Sequence, residues 1–230
     1  MADLVELQQI MGVSFNDPFL LEQALRHGSY INELSKTPIA SNETMEFLGD
    51  AVLGLVIAEK LYHDFPRFTE GEMTHVRAAI VRRDTLARLA QNLKLGDFLY
   101  LGKGEEASGG RSKPSNLAST LEAVIAAVFL DQGLPVARDF VLKLFDKELE
   151  RTVSRGAADY KSQLQELIQA RQQVTPTYHL VSATGPPHSR TFTVEARVDN
   201  KVLGSGMGTS KKLAEMEAAR AALEQLATFT

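Results

Sequence analysis

Along the first 150 residues the apolar positions recur at intervals of three and four, the period of a helix with one buried face. Stop and start signals divide that stretch into helices. Asp3 to Met11 ends at Gly12. Asn16-Asp17-Pro18, a capping residue followed by proline in the first turn, opens a helix over Phe19 to Arg26 that His27-Gly28-Ser29-Tyr30 ends. A mostly polar loop, Ser35 to Asn42, precedes a long helix from Glu43 to Asp64, closed by Pro66. Thr69-Glu70-Gly71-Glu72 opens the next, toward Val81, and Asp84 starts another that stops at Gly96. Gly102 to Pro114 reads as a flexible loop with four glycines, and Asn116 to Asp131 as a second very apolar helix. Gly133 breaks that helix, and Pro135 restarts the chain in a last one that runs to Arg151.

The pattern changes after 152–158, a short stretch that reads as a flexible linker. A helix from Asp159 to Arg171 places Leu164, Leu167 and Ile168 inward. Three runs then alternate as strands, Thr177–Ser182, Thr191–Val198 and Lys201–Gly208, the last two joined by the turn pair Asp199-Asn200. Ser210 caps a final helix, Lys211 to Ala227, with Leu213, Met216, Ala219, Leu223 and Leu226 inward. The expected architecture is an all-α domain (1–151), a linker (152–158) and a small α-β-β-β-α domain (159–228).

Composition narrows the class. Cysteine is absent, which excludes disulfides and thiolate metal sites and fits a reducing compartment. The N-terminal residues lack the basic-then-apolar pattern of a signal peptide. The longest apolar run, Leu117 to Leu130, is short for a membrane span and carries Ser119, Thr120 and Glu122. A cytoplasmic protein without a membrane segment is expected. The net charge of −4 is uneven: residues 151–230 carry 10 basic and 7 acidic side chains, leaving 15 and 22 in the remainder. An acidic body with a basic appendage suggests cation handling in one and polyanion contact in the other.

The densest chemistry lies in Glu43-Thr44-Met45-Glu46-Phe47-Leu48-Gly49-Asp50-Ala51-Val52-Leu53. At about 100° per residue, Glu46 and Asp50 lie within about 40° of each other on a helix, with Glu43 a turn earlier. Phe47, Leu48, Val52, Leu53, Leu55, Val56 and Ile57 are the expected apolar surround. Carboxylates so placed call for a compensating cation; the spacing alone fits equally an amphipathic helix whose acids meet water. In the second apolar helix Glu122 is the only interior acid, and Ala123, Ala126 and Ala127 would admit a closely packed neighbour. His27 reads as a hydrogen-bonded helix-end histidine, with ligand or base as the rarer alternatives. In the glycine-rich loop Lys103, Arg111 and Lys113 leave phosphate contact open, although no P-loop pattern is present.

These residues resemble the ribonuclease III family. The eleven-residue segment looks like its signature, and Ala24-Leu25-Arg26-His27-Gly28-Ser29-Tyr30, Glu70-Gly71 and Leu121-Glu122-Ala123 agree with it. The tail is similar to a double-stranded-RNA-binding domain, with Gly185-Pro186-Pro187-His188 between its first strands and Ser210-Lys211-Lys212 opening its last helix. The resemblance implies an endoribonuclease that cleaves double-stranded RNA with Mg²⁺, for which Mn²⁺ substitutes, and leaves 5′-phosphate and 3′-hydroxyl ends with short 3′ overhangs. It implies a homodimer acting on ribosomal RNA precursors and structured messages, with no small-molecule substrate.

By the same resemblance Glu46, Asp50 and Glu122 are catalytic and, with Ser119, form the metal set, while Glu43 and Glu70 support the cleft near the subunit interface. RNA contacts fall to Gln165, Glu166, His188, Ser210, Lys211 and Lys212. One departure stands out: the family pattern Asp-x-x-Glu has serine, Ser119, at its aspartate position. That substitution is the argument for the rival reading, a weakened or inactive RNA-binding protein. A di-iron carboxylate protein is the more distant rival, since it wants two Glu-x-x-His units and the chain offers Glu72-Met73-Thr74-His75.

Overall fold

A computed structural model describes residues 3–34, 39–186 and 190–228. The chain divides into two compact units, Met1–Glu148 and Leu149–Thr230. Among the described residues the first contains only helices: α1 (Leu4–Met11), α2 (Pro18–Ala24), α3 (Gly28–Glu33), α4 (Glu43–Asp64), α5 (Glu70–Ile80), α6 (Arg83–Asn92), α7 (Leu95–Phe98) and α8 (Lys103–Ala107). α9 (Pro114–Gln172) begins in this unit as two helices joined at Gly133, whose φ of 77° and ψ of 179° suit glycine alone.

Most ends follow the sequence signals, but α6 starts at Arg83, before Asp84, and ends at Asn92, while Gly96, expected as its stop, lies inside α7. Asp3 and Asp17 cap α1 and α2 through their carboxylates, and Gly12 ends α1 in the left-handed conformation. Thr69 and Glu72 form a reciprocal capping box on α5. His27-Gly28-Ser29-Tyr30 does more than end a helix: His27 caps α3, its Nδ1 accepting the Ser29 N–H, and Gly28 is the first helical residue.

The core lies around the first arm of α9, where Leu121 and every residue from Ala123 to Val128 are completely buried. Its stretch from Pro114 to Val153 is long and apolar enough to cross a bilayer by composition. The apolar side chains of its first arm are instead interior, as are Leu7, Leu21, Leu53, Ile57 and Leu61 of the other helices. α4 is buried along one stripe only, through Met45, Gly49, Val52, Leu53, Val56, Ile57 and Leu61. Phe47 and Leu55, expected in the apolar surround of the acids, are instead 81% and 54% exposed. They lie off the stripe that α4 turns toward the core.

Two segments expected to be irregular are ordered. Within 102–114 the chain forms α8 and a 3₁₀ turn, Gly110–Ser112. Arg111 Nη1 donates to the carbonyls of Gly96 and Leu99 while Nε and Nη2 hold Glu106. Lys113 donates to Glu105 and Ser108. These bonds exchange loop freedom for local folding. The backbone of 152–158, read as a flexible linker, is helical and continues α9.

The second unit carries the sheet β1 (Thr177–Thr184), β2 (Thr191–Val198) and β3 (Lys201–Gly208), antiparallel in that order. α10 (Lys211–Thr228) covers one face. Leu164 and Ile168 of α9 join Val194, Ala196, Val198 and Leu203 in its core. On α10 the fully buried positions are Ala214, Ala218, Ala219 and Ala222, with Met216 nearly so, whereas Leu213, Leu223 and Leu226 are only half-buried. The inward face keeps Met216 and Ala219 of the expected stripe, with Leu223 and Leu226 packed at its margin, and adds Ala214, Ala218 and Ala222, whose small size lets the helix meet the glycines of β3. A Cβ on Gly204 would lie 2.4 Å from Ala222 N, and one on Gly206 2.2 Å from Ala218 N.

Candidate active site and nucleic-acid interface

Two helices bring the acids together. α4 carries Glu46, half-buried, and Asp50, exposed; α9 carries Ser119 and Glu122, both half-buried. Their juxtaposition depends on Gly49, which lies between the two acids of α4. A Cβ built there would fall 1.8 Å from the Glu122 carbonyl oxygen and 2.4 Å from its carbonyl carbon. The backbone of α9 therefore rests directly on α4 at the residue that supplies the third acid. Sequence reasoning credited Ala123, Ala126 and Ala127 with the close approach and missed Gly49. The available signal was a glycine inside a helix, which costs about 1 kcal/mol against alanine and so implies a packing reason.

Electrostatics record the convergence. Burial, then Asp50, then Glu46 push the Glu122 carboxyl up to about 7 from 4.5. Ser119 Oγ donates to Glu46 Oε1 at 2.8 Å, joining the two helices side chain to side chain. Among the described residues no three histidine, aspartate or glutamate side chains are gathered as a complete metal-holding group. The site is an open acidic face. Its donors are all oxygens, the kind a hard divalent cation takes, and Mg²⁺ is commonly held by one or two carboxylates with water and phosphate completing its shell.

The remaining predicted residues lie elsewhere in the first unit or in the second. Glu43 is exposed and accepts from Ser41 Oγ at 3.1 Å; Glu70 is exposed and accepts from Thr74 Oγ1 at 3.1 Å. His27 has a structural role, its ring bonded to Ser29, whose hydroxyl accepts the Gly102 N–H at 3.0 Å. Below Ser119, the buried Asn116 donates to Glu105 Oε1 at 2.8 Å and to the Gly110 carbonyl at 3.0 Å. Lys113 completes that knot, and its bond to Glu105 leads the causes that lower the Glu105 pKa. The knot fixes the first turn of α9. It was invisible in sequence because its members are spread over a segment that read as loop.

Asp131, farther along α9, accepts the Asn16 and Asp17 N–H groups at 2.9 and 2.8 Å. Glu72, half of the Glu-x-x-His pair, holds the α5 cap. In the second unit Gln165 and Glu166 are exposed on α9, and Lys211 and Lys212 are exposed in the first turn of α10. Ser210 caps that helix by accepting the Leu213 N–H at 3.3 Å. His188 lies outside the described residues.

Comparison with known proteins agrees with this arrangement. A family model described as ribonuclease-III-like matches residues 17–149, and a double-stranded RNA binding motif matches residues 160–226. Ribonuclease 3 of Dehalococcoides mccartyi (strain CBDB1) is 50% identical over 98% of this chain and 95% of its own length. Ribonuclease 3 of Roseiflexus sp. (strain RS-1) is 49% identical over 96% and 94%. A solved nuclease domain of ribonuclease III from Campylobacter jejuni, described as flexible in a region involved in dimer formation, is 40% identical. It superposes with a TM-score of 0.59 and covers 63% of this chain and 97% of that one. The kinship runs through nuclease and RNA-binding parts alike and lends no support to a binding-only protein. With an acidic face built from two helices and a basic-ended α-β-β-β-α unit behind it in the sequence, this chain belongs to the ribonuclease III family of endoribonucleases.

Proposed function

We propose that this chain hydrolyses double-stranded RNA with Mg²⁺, or Mn²⁺ in its place, held by Glu46, Asp50 and Glu122, leaving 5′-phosphate and 3′-hydroxyl ends. The observation that carries the reading is the meeting of Glu46 and Asp50 of α4 with the half-buried Glu122 of α9 across the Gly49 contact, close enough that both acids help to raise the Glu122 carboxyl. A divalent ion bound there supplies a nucleophilic water at neutral pH and neutralises charge on the phosphate oxygens. The chain's own part is to hold the carboxylates on two helices fixed by Gly49 against Glu122. Rigid elements hold such a constellation better than loops do.

Substrate selection falls to the second unit. A-form RNA is read by shape, through 2′-hydroxyls and phosphates. Lys211 and Lys212 stand exposed where α10 presents free N–H groups and the positive end of its dipole, a combination suited to phosphate. Gln165, Glu166 and His188 are the remaining contacts by family likeness. Action as a homodimer in the cytoplasm, on ribosomal RNA precursors and structured messages, completes the reading. Phe47, Leu55 and Tyr62, at 81%, 54% and 68% exposure on α4, are apolar surface of the kind that association covers. Glu43 and Glu70 support the cleft beside that face.

A labelled RNA hairpin incubated with the protein in Mg²⁺ or in EDTA tests the proposal. Cleavage is expected in Mg²⁺ alone. Glu122→Gln abolishes it while duplex binding persists, and joint Lys211→Ala and Lys212→Ala weakens the binding. Absence of metal-dependent cutting by the parent protein would sink the proposal.

A further inference from the structure

Ser119 occupies a position that its setting does not explain as simple packing. It lies one turn before Glu122 on α9, is half-buried, and directs its hydroxyl across the helix interface to Glu46 Oε1 at 2.8 Å. A hydroxyl–carboxylate bond is charge-assisted and stronger than a neutral one. It also fixes one of two otherwise equivalent oxygens.

We propose that Ser119 is a positioning residue that aims Glu46: by occupying Oε1 it leaves Oε2 as the oxygen offered to a divalent cation on the acidic face. The proposal rests on the reading that Glu46, Asp50 and Glu122 hold such a cation. It assigns Ser119 a role outside the ligand set. An alcohol is neutral, and its contribution here is a donated hydrogen bond to a ligand, the way outer groups orient the carboxylates of metal sites. The site thus works with three carboxylates and a donor where the family pattern supplies four carboxylates. Aspartate at 119 would have no proton to give and would repel Glu46 until a cation lay between them.

Mn²⁺ serves as the probe, titrated into the full-length protein without RNA and followed by electron paramagnetic resonance of the free ion. Ser119→Ala weakens Mn²⁺ binding about tenfold, the lower end of what loss of an orienting group costs. Ser119→Thr, which keeps the hydroxyl, restores it. Ser119→Asp lowers the metal-free Tm, and Mn²⁺ then raises Tm by more than in the parent, because a ligand stabilises the state it binds by an amount that grows with the logarithm of its affinity. Unchanged binding in Ser119→Ala, or failure of threonine to restore it, overturns the positioning role. Asp50→Asn and Glu122→Gln separate the two levels. If they lower Mn²⁺ binding while Ser119→Ala does not, only the role of Ser119 falls. If they leave it unchanged, the metal reading falls and this proposal with it.

Discussion

Both units use glycine to let a helix approach backbone to backbone, but the two contacts serve different ends. In the first unit a single glycine, Gly49, seats α4 on the carbonyl of Glu122, and acids stand on both sides of the contact. In the second, Gly204, Gly206 and Gly208 face Ala214, Ala218 and Ala222 along β3 and α10. Those neighbours carry no chemistry. Close approach at Gly49 therefore sets distances between functional groups, whereas close approach along β3 sets only the thickness of a small core. The same device that holds one unit together tunes a site in the other.

That contrast can be broken by substitution. The largest effect belongs to Gly49→Ala, whose Cβ meets backbone at 1.8 Å and forces α4 and α9 apart. Cleavage falls by about 10² or more, as misplacement by an ångström does at catalytic sites. Duplex binding, measured by gel shift, stays at the parent level. Equal loss of both would erase the distinction between the units. Gly206→Ala is the mirror experiment. Its Cβ would lie 2.2 Å from Ala218 N and 2.5 Å from Ala214 O. The second unit loses about 3 kcal/mol, the upper part of the overpacking range, and duplex binding is lost at the melting temperature of that unit, read by differential scanning calorimetry. A melting profile unchanged from the parent would show that β3 and α10 can part without cost.

The smallest effect concerns the charge at the Gly49 contact. The Glu122 carboxyl is raised to about 7 in the folded chain against 4.5 ordinarily. Between those values the folded state holds a proton that the unfolded state has released, so stability falls as pH rises through this window and levels off above it. The loss is about 1–2 kcal/mol once solvent screening of a half-exposed group is allowed for. In metal-free buffer Glu122→Gln removes that slope and is the more stable protein at pH 8, by Tm. No such slope is expected from the glycine contacts of the second unit.

Much of this was legible in the sequence. The helix openings at Asp17, Thr69 and Ser210 work through neighbouring backbone, and local chemistry suffices to find them, whereas Asp3, read as the first helical residue, is the cap before it. Glu46, Asp50 and Glu122 could be paired through family likeness, and their mutual influence on Glu122 agrees with that pairing. What escaped depends on partners distant in the chain. Phe47 and Leu55 have ordinary core chemistry, and their exposure follows from which stripe of α4 the rest of the fold covers. The order within 102–114 comes from Arg111 reaching carbonyls at Gly96 and Leu99 and from Asn116 reaching Glu105. The alanines Ala214, Ala218 and Ala222, which widen the inward face of α10 beyond the expected stripe, answer the glycines opposite. None of these is written in periodicity.

The glycine row of β3 also bears on how the second unit comes apart. Each glycine gives up more backbone freedom on ordering than alanine would, roughly 0.5–1 kcal/mol apiece, and brings no side chain with which to recover it. The strand is held instead by the helix lying on it and by its pairing with β2. Remove α10, and β3 keeps its ladder partners but loses the contact that offsets three costly glycines. Partial unfolding that frees the helix should therefore carry the strand with it. The unit is left with two populated conditions, intact or melted, and RNA binding would switch between them without a frayed intermediate.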